Sequence, residues 1–320
     1  MARLAGVSRA TVSYVLNNAE AVRISEPTRR KVREAAEELG YVPHAAARSL
    51  RAGHTRIVLL PTSHVPVGPL YSSFLNELQW ALRRLDYTVV QYGSVGLSGD
   101  QAARAWAELR PVAVISLGEI TLTARNVTTL KRAGARAVIT LGPESVPGAH
   151  ALVMDQQEVG ARAAAHLSER GYRRIGVIVP EEDGLELFSA PRLAGARSAA
   201  GEAEVQALPM SYTEDSATAL AARWRQLGLD AVFAYNDEYA MLLMRALQDA
   251  GLRIPEDVAV IGADDLLLGR LLRPRLSTVR IRMPSGDLLA SLVDRVVREP
   301  AEARELRDLM SARAVPREST

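Results

Sequence analysis

Apolar positions recur at two spacings along this chain, and the change from one to the other divides it. Near the start, Val12, Val15 and Leu16 fall on one face of a 3.6-residue repeat, and Val32, Ala35, Ala36 and Leu39 do the same one segment later. The opening residues read as the end of one helix, a tight turn at Gly6, and a second short helix capped by Ser8. Ser25, Pro27 and Gly40 supply the cap, first-turn proline and terminating glycine of a third helix. From residue 57 the pattern changes to short apolar runs at 57–60, 88–92, 112–117, 137–141, 151–154, 175–179, 231–234 and 258–261. Helical stretches at 70–85, 156–170, 213–227 and 237–250 lie between them. Strand–helix alternation of this kind predicts parallel α/β sheets. The units are too many for one mononucleotide-binding half, so two lobes are expected, changing near Asp155. A strand-like run at 276–281 and a helix over 285–298 carry the chain back to the first lobe.

Length and composition narrow this picture. The 320 residues suffice for two or three domains, and 48% apolar content belongs to a globular chain. No run of about 18 apolar residues is present, so no membrane span is expected. No charged segment followed by an apolar one stands at the start, so no secretory signal is expected. The absence of cysteine excludes disulfide and thiol chemistry and fits a cytoplasmic protein. The net charge of +2 is unevenly spread. Residues 1–56 hold ten Lys and Arg against five Glu, a net of +5, whereas the remainder holds 29 basic and 32 acidic residues, a net of −3. A basic head on a mildly acidic body suits an anionic polymer partner, with a merely solvated helix face as the alternative.

The head carries the chemistry to match. Arg9, Ala10, Ser13, Tyr14 and Asn17 share the outward face of its second helix, where side chains reach a base edge or a phosphate from a rod that fits a major groove. Residues 44–53 are short and alanine-rich, and about ten residues do not hold a helix alone in water. They read as a hinge that becomes helical only when supported. Leu50 is its one large apolar side chain, placed to wedge a minor-groove base step or to dock on the body.

The motifs "LAGVSRATVSYVLN", "ISEPTRRKVREAAEELGYVP" and "HAAARSLRAGHT" resemble, in order and spacing, the DNA-binding head and hinge of the LacI/GalR family of bacterial repressors. "DQQEVGARAAAHLSERGYRRIGVI", "RLAGARSA", "FAYNDEYAMLLMRALQDAGLRIPEDVAVIGADD" and "LSTVRI" look like the family's effector-binding body, and "ARAVPREST" is similar to its C-terminal strand. The resemblance implies an N-terminal three-helix helix-turn-helix head with a hinge helix, followed by a two-lobed α/β effector domain like periplasmic binding proteins. It places the head at 1–43, the hinge at 44–54, and the effector-binding and dimerisation domain at 55–320. Lobe 1 is then about 55–155 plus 283–316, and lobe 2 about 156–282. It further implies a homodimer on a palindromic operator DNA, with a small-molecule effector setting the affinity. By family position Arg9, Ala10 and Tyr14 read bases, and Ser8, Thr11, Ser13, Asn17 and Arg29 mostly touch phosphate. Leu50, with Ala46 and Ala47 beside it, forms the minor-groove element. Met1 falls in the middle of the family's first helix, so a start upstream is expected.

In parallel sheets ligands sit outside the carboxyl ends of the strands. Asp264 follows the run at 258–262, and Asn236 and Asp237 follow the run at 231–235. Arg192 is expected to begin the helix after 175–179, and Tyr71 and Tyr212 can stack on a ring. By family position Asp264 and Arg192 lead, Asn236 and Asp155 come next, and Tyr71 and Tyr212 complete the effector site. Local roles compete: Asp237 as a helix cap, Asp265 as a solvated loop acid, the tyrosines as partly buried core. The segment "EEDGLELFSAPR" is acidic and apolar where many relatives place small polar residues, and it helps set specificity. The expected effector is a sugar or related metabolite, ahead of a nucleobase, and no cofactor is expected. The alternatives are a cytoplasmic sugar-binding protein or a sugar-acting enzyme without DNA binding. His44, His54, His64, His150 and His166 are scattered without metal-ligand spacing, and no nucleophile elbow, P-loop or dinucleotide fingerprint occurs, so an enzyme is not expected.

Overall fold

The computed structural model describes residues 1–16, 23–41, 49, 53–62, 68–117, 121–142, 144–153, 155–299, 302–306 and 311–320. Asn17 and the hinge residues Ala46, Ala47 and Leu50 lie outside them.

The head opens with one turn that closes at Gly6. Ala5 N–H donates to Met1 O at 2.8 Å, Gly6 N–H to Arg3 O at 3.3 Å, and Val7 N–H to Ala2 O at 3.0 Å. Gly6 takes φ +65°, the left-handed conformation that ends helices at little cost only for glycine. Helix α1 (Arg9–Leu16) follows, and Ser8 Oγ caps it by accepting Thr11 N–H at 3.0 Å. Helix α2 (Glu26–Glu38) starts after Ser25 and has Pro27 in its first turn. Ser25 takes the capping backbone conformation, but its hydroxyl pairs with Thr28 Oγ1 at 2.9 Å. Val12 and Val15 pack on Val32 and Ala35, with Ala5 beneath the turn. Leu39, expected in the inner stripe, is 54% exposed, because the helix has already turned out toward Gly40 there.

The body runs β1 (Ile57–Thr62), α3 (Pro69–Arg84), β2 (Thr88–Gly93), α4 (Gly99–Glu108), β3 (Ala113–Ser116), α5 (Ala124–Arg132), β4 (Ala137–Gly142) and β5 (His150–Val153). It continues as α6 (Gln156–Glu169), β6 (Arg174–Pro180), α7 (Glu186–Ala199), β7 (Glu204–Met210), α8 (Glu214–Ala222), α9 (Trp224–Leu227) and β8 (Ala231–Phe233). Then come α10 (Asp237–Asp249), β9 (Ala259–Ala263), β10 (Ser277–Arg282), α11 (Gly286–Arg298), β11 (Glu305–Leu306) and β12 (Ser311–Val315). The first sheet has the order β11-β5-β4-β3-β1-β2, and the second β12-β10-β9-β8-β6-β7. Every pairing in the first is parallel, and β12 alone runs antiparallel in the second, on β10.

Strands covered on both faces need apolar residues at every position, which is why continuous runs marked them. In the first lobe Ile115 and Ile139 face Leu78, Leu82 and Val293, whereas Val114 and Val138 face Trp106 and Leu130. In the second lobe Val232 and Val260 face Leu243 and Trp224, whereas Phe233 and Ile261 face Ala163 and Leu167. Each fully buried large apolar side chain contributes about 1.5–3 kcal/mol relative to an exposed one.

The chain passes between the lobes three times: after β5, after β10 and after β11. The last passage corrects the expectation that residues up to 316 stay with the first lobe. β12 pairs with β10, with Thr278 opposite Val315 and Arg282 opposite Ser311, so it belongs to the second sheet. Strand β7 was not among the expected runs. It is an edge strand, half exposed, in which Gln206 and Pro209 interrupt the apolar pattern, and an edge is where proline is tolerated.

Candidate functional site

Two surfaces matter, and the first is the outward face of α1. Ser8, Arg9, Ala10 and Tyr14 are exposed, with Tyr14 at 43%, while Val12 and Val15 on the other face are buried. Thr11 and Ser13 are half-buried, and the Ser8 and Thr11 hydroxyls pair at 2.9 Å. Arg29 lies on α2, where its Nε donates to Ile24 O at 3.3 Å and holds the guanidinium near the start of that helix. Of the residues expected to contact DNA, Ser8, Arg9, Ala10, Thr11, Ser13 and Tyr14 share α1 and its cap.

The second surface is a cavity of about 440 Å³ at the carboxyl ends of both sheets. The start of α3 contributes Tyr71, whose hydroxyl donates to Leu117 O at 3.1 Å beyond β3. The second lobe contributes Gln156 at the start of α6, Glu182 beyond β6, Arg192 on α7, Tyr212 beyond β7, Asn236, Glu238 and Tyr239 around the start of α10, and Asp264 beyond β9. Tyr71, Arg192, Tyr212, Asn236 and Asp264 are thus brought to one space.

Asp155 is not. It is exposed, and its Oδ1 accepts Glu158 N–H at 3.1 Å as the N-cap of α6. Capping draws that carboxylate back over its own helix, and the next residue, Gln156, lines the cavity instead. Arg192 does not begin its helix either. Helix α7 starts at Glu186, and the guanidinium enters from the middle of it.

A close helix crossing sets the Arg192 position. A Cβ on Gly160 would lie 1.8 Å from Arg192 O, and one on Gly195 would lie 1.9 Å from Gln157 O. Only glycine lets α6 and α7 touch backbone to backbone. Arg192 is then buried, with Nε donating to Gln156 Oε1 at 2.8 Å, Nη1 donating to Tyr235 O, and its guanidinium carbon 4.7 Å from the Tyr235 ring centre. Gln156 is 3% exposed, and its Nε2 has no hydrogen-bond partner among the described residues.

Carboxylates and tyrosines complete the lining. Glu182 accepts Tyr212 N–H and Tyr239 O–H. Burial pushes its carboxyl up, but those hydrogen bonds together outweigh burial and leave it below the usual range. Burial raises Asp264, against the nearby Arg192 charge. Burial, then the Asp264 charge, raise Glu238. Tyr212 and Tyr239 lie 5.1 Å apart between ring centres, and Tyr235 meets Tyr239 edge-on at 5.5 Å. Hydroxyl-rich ligands suit this mixture: acceptors, donors and flat apolar rings around one space.

Two neighbouring acids do more than local loop chemistry. Asn236, not Asp237, caps α10, its Oδ1 accepting Tyr239 N–H at 3.0 Å. Asp237 is fully buried and accepts Thr278 O–H and Leu266 N–H, each at 2.7 Å, which ties down the loop bearing Asp264. Burial first, against those two bonds, pushes its carboxyl up to about 7. Asp265 is no solvated loop acid: its side chain is 5% exposed and pairs with Arg270, Arg280 and Arg317. Gln156, Glu182, Glu238, Tyr235 and Tyr239 were missed as cavity residues. Glu182 lies in the unusual acidic segment, and Glu238 stands two residues beyond Asn236.

Comparison with known proteins agrees with this fold. Residues 1–44 match the family of bacterial regulatory proteins of the lacI type, and residues 164–320 match a periplasmic binding protein-like domain. The transcriptional repressor PurR of Vibrio atlanticus is 32% identical over 87% of this chain and 85% of its own length. The transcriptional regulator CelR of Thermobifida fusca is 31% identical over 94% of this chain and 92% of its own. A solved complex of a CelR regulator with cellobiose is 29% identical, covers 100% of this chain and 98% of its own, and has a TM-score of 0.67. The lac repressor dimer bound to operator and an anti-inducer shares the fold, with a TM-score of 0.79 at 22% identity over 100% and 97% of the two chains. The chain belongs to the LacI family, and it is a DNA-binding transcriptional regulator with a two-lobed effector domain. Its relatives are regulators rather than enzymes. Among the described residues no helix is long and apolar enough to cross a membrane.

Proposed function

We propose that two copies of this chain hold a palindromic operator through their heads, and that a sugar between the lobes sets the strength of the hold. The cavity carries the reading. The Asp264 carboxylate, the Arg192 guanidinium and Gln156 line one space beside a tyrosine wall. A sugar hydroxyl can donate to the acid and accept from the guanidinium at once. The cellobiose in the CelR complex makes a disaccharide the first ligand to try.

The base-reading and phosphate-contacting roles of the α1 face, with Arg29 and Asn17, rest on its exposure and on family position. The same holds for Ala46, Ala47 and Leu50 in the minor groove. Two heads related by a dyad read half-sites on one face of the duplex. Effector binding changes lobe closure about the three inter-lobe passages and so changes the spacing of the two hinge exits. Such coupling is typically worth about 1–3 kcal/mol and is reciprocal. The protein acts as a regulator without turnover, in the cytoplasm, where its operator is.

A thermal-shift screen of sugars and nucleosides on the full-length protein tests this, because a ligand of the native state raises the melting temperature. A sugar is expected to stabilise wild type, and Asp264→Asn is expected to lose that response while still binding operator. Stabilisation by nucleosides alone, or an unchanged response in Asp264→Asn, contradicts the reading.

A further inference from the structure

Resting on the sugar-binding reading, we infer that the cleft admits uncharged sugars and rejects phosphorylated ones, with Glu182 and Glu238 enforcing the choice. Among the described residues, three carboxylates, Glu182, Glu238 and Asp264, line the cavity against one guanidinium. That guanidinium already donates to Gln156 Oε1 and to Tyr235 O, so two of its five N–H donors serve the protein. A phosphoryl group brings about −1.5 to −2 charge at neutral pH and chiefly accepts hydrogen bonds. As the dianion it has no proton to donate to Asp264, whereas a neutral sugar hydroxyl in the same place donates there.

Glu182 cannot swing aside to admit an anion. Its two oxygens are held by Tyr212 N–H and Tyr239 O–H, and the same bonds set the two rings into one wall. Glu238 faces the seam between the lobes. Its Oε2 lies 3.3 Å from where a Cβ on Gly68 would stand, just before α3. A ligand bridging the lobes therefore meets negative charge on the second-lobe side. Like charges about 8 Å apart at an effective dielectric near 20 repel enough to lower affinity by roughly thirtyfold.

The test pairs neutral sugars with their own phosphates: glucose with glucose 6-phosphate, cellobiose with cellobiose 6-phosphate, trehalose with trehalose 6-phosphate. Calorimetric titration of the full-length protein at low salt gives each pair an affinity ratio. The expected result is at least one parent sugar that binds, with its phosphate more than tenfold weaker. Glu238→Gln and the double variant Glu182→Gln, Glu238→Gln are each expected to narrow that ratio, the double by tenfold or more. A phosphate that binds as well as its parent overturns the inference but leaves a sugar-responsive regulator. An unchanged ratio in Glu238→Gln, with a cooperative melt and operator binding retained, also overturns it. Failure of every sugar, free or phosphorylated, overturns the sugar reading itself and the inference with it.

Discussion

Replacing Gly160 with alanine sets two effects of opposite sign against each other. Within a helix, alanine is favoured over glycine by about 0.5–1 kcal/mol, so propensity alone makes Gly160→Ala stabilising. The crossing of α6 and α7 opposes it. The new Cβ would stand 1.8 Å from Arg192 O, at least 1.2 Å short of the 3.0 Å that real Cβ atoms keep. The obstacle is backbone, which cannot rotate away, so the helices must part. Overpacking of this kind costs about 1–3 kcal/mol. Parting also stretches the 2.8 Å bond from Arg192 Nε to Gln156, a buried charge-assisted bond worth about 1.5–3 kcal/mol. The net expectation is a loss of about 2–4 kcal/mol in urea unfolding. Because the displaced group lines the cavity, affinity for the stabilising sugar should fall at least tenfold, while the head still binds non-specific DNA. Arg162→Ala, on an exposed part of the same helix, is the control. It breaks only a surface pair with Glu158 and should cost no more than about 0.5 kcal/mol. A Gly160→Ala protein as stable as wild type, with unaltered sugar affinity, would refute the crossing as the device that places Arg192.

Arg9→Ala should cost about 1–3 kcal/mol at one operator base pair if the guanidinium grips a guanine in two bonds; a uniform loss across operator variants in competition binding reduces it to a phosphate contact. Asp237→Asn tests the buried acid. Its folded pKa of about 7 lies above the ordinary 3.8, so the folded form holds the proton more tightly. The stability this provides is full below about pH 4 and is lost as pH rises to about 7. Wild-type stability relative to the asparagine variant should therefore fall across that window, with a slope of at most about 1.4 kcal/mol per pH unit; parallel pH curves contradict it. Trp80 on α3 is 67% exposed, and Leu288 on α11, the helix packed against α3, is exposed as well. If this apolar face joins the two subunits, Trp80→Glu should weaken dimerisation by more than thirtyfold in sedimentation equilibrium, as expected for a central aromatic anchor; an unchanged constant removes the face from the interface.

How much of this was visible beforehand depends on the reach of each interaction. Strands β3, β4, β8 and β9 are covered on both faces, so local apolar runs reveal them. Edge strand β7 is half exposed and interrupted by Pro209, and no local pattern marks it. The membership of β12 depends on pairing Thr278 with Val315, a contact with no signature in either segment alone. Asp264 was legible as a cavity residue from its strand end, and Arg192 only from its motif, since it enters from mid-helix. The Gly160 and Gly195 crossing that positions Arg192 was not, because it depends on two helices meeting. Asp155 and Gln156 are adjacent, and a one-residue difference in phase decides which side chain caps and which enters the cavity. Asp265 read as a loop acid because its arginine partners come from three separate positions, at 270, 280 and 317. The acidic, apolar segment after β6 delivers Glu182, Leu185 and Phe188 to the cavity.

The central claim is that occupancy of the cleft governs the grip on DNA. Its most direct test is to select a binding site from random duplexes with the full-length protein, then titrate that site with and without the sugar that most stabilises the protein. The account predicts a palindromic site whose affinity changes by about 5–150-fold with the sugar, and a sugar affinity that changes by the same factor with the site. A stabilising sugar that leaves operator affinity unchanged, at concentrations that saturate the cleft, would contradict it.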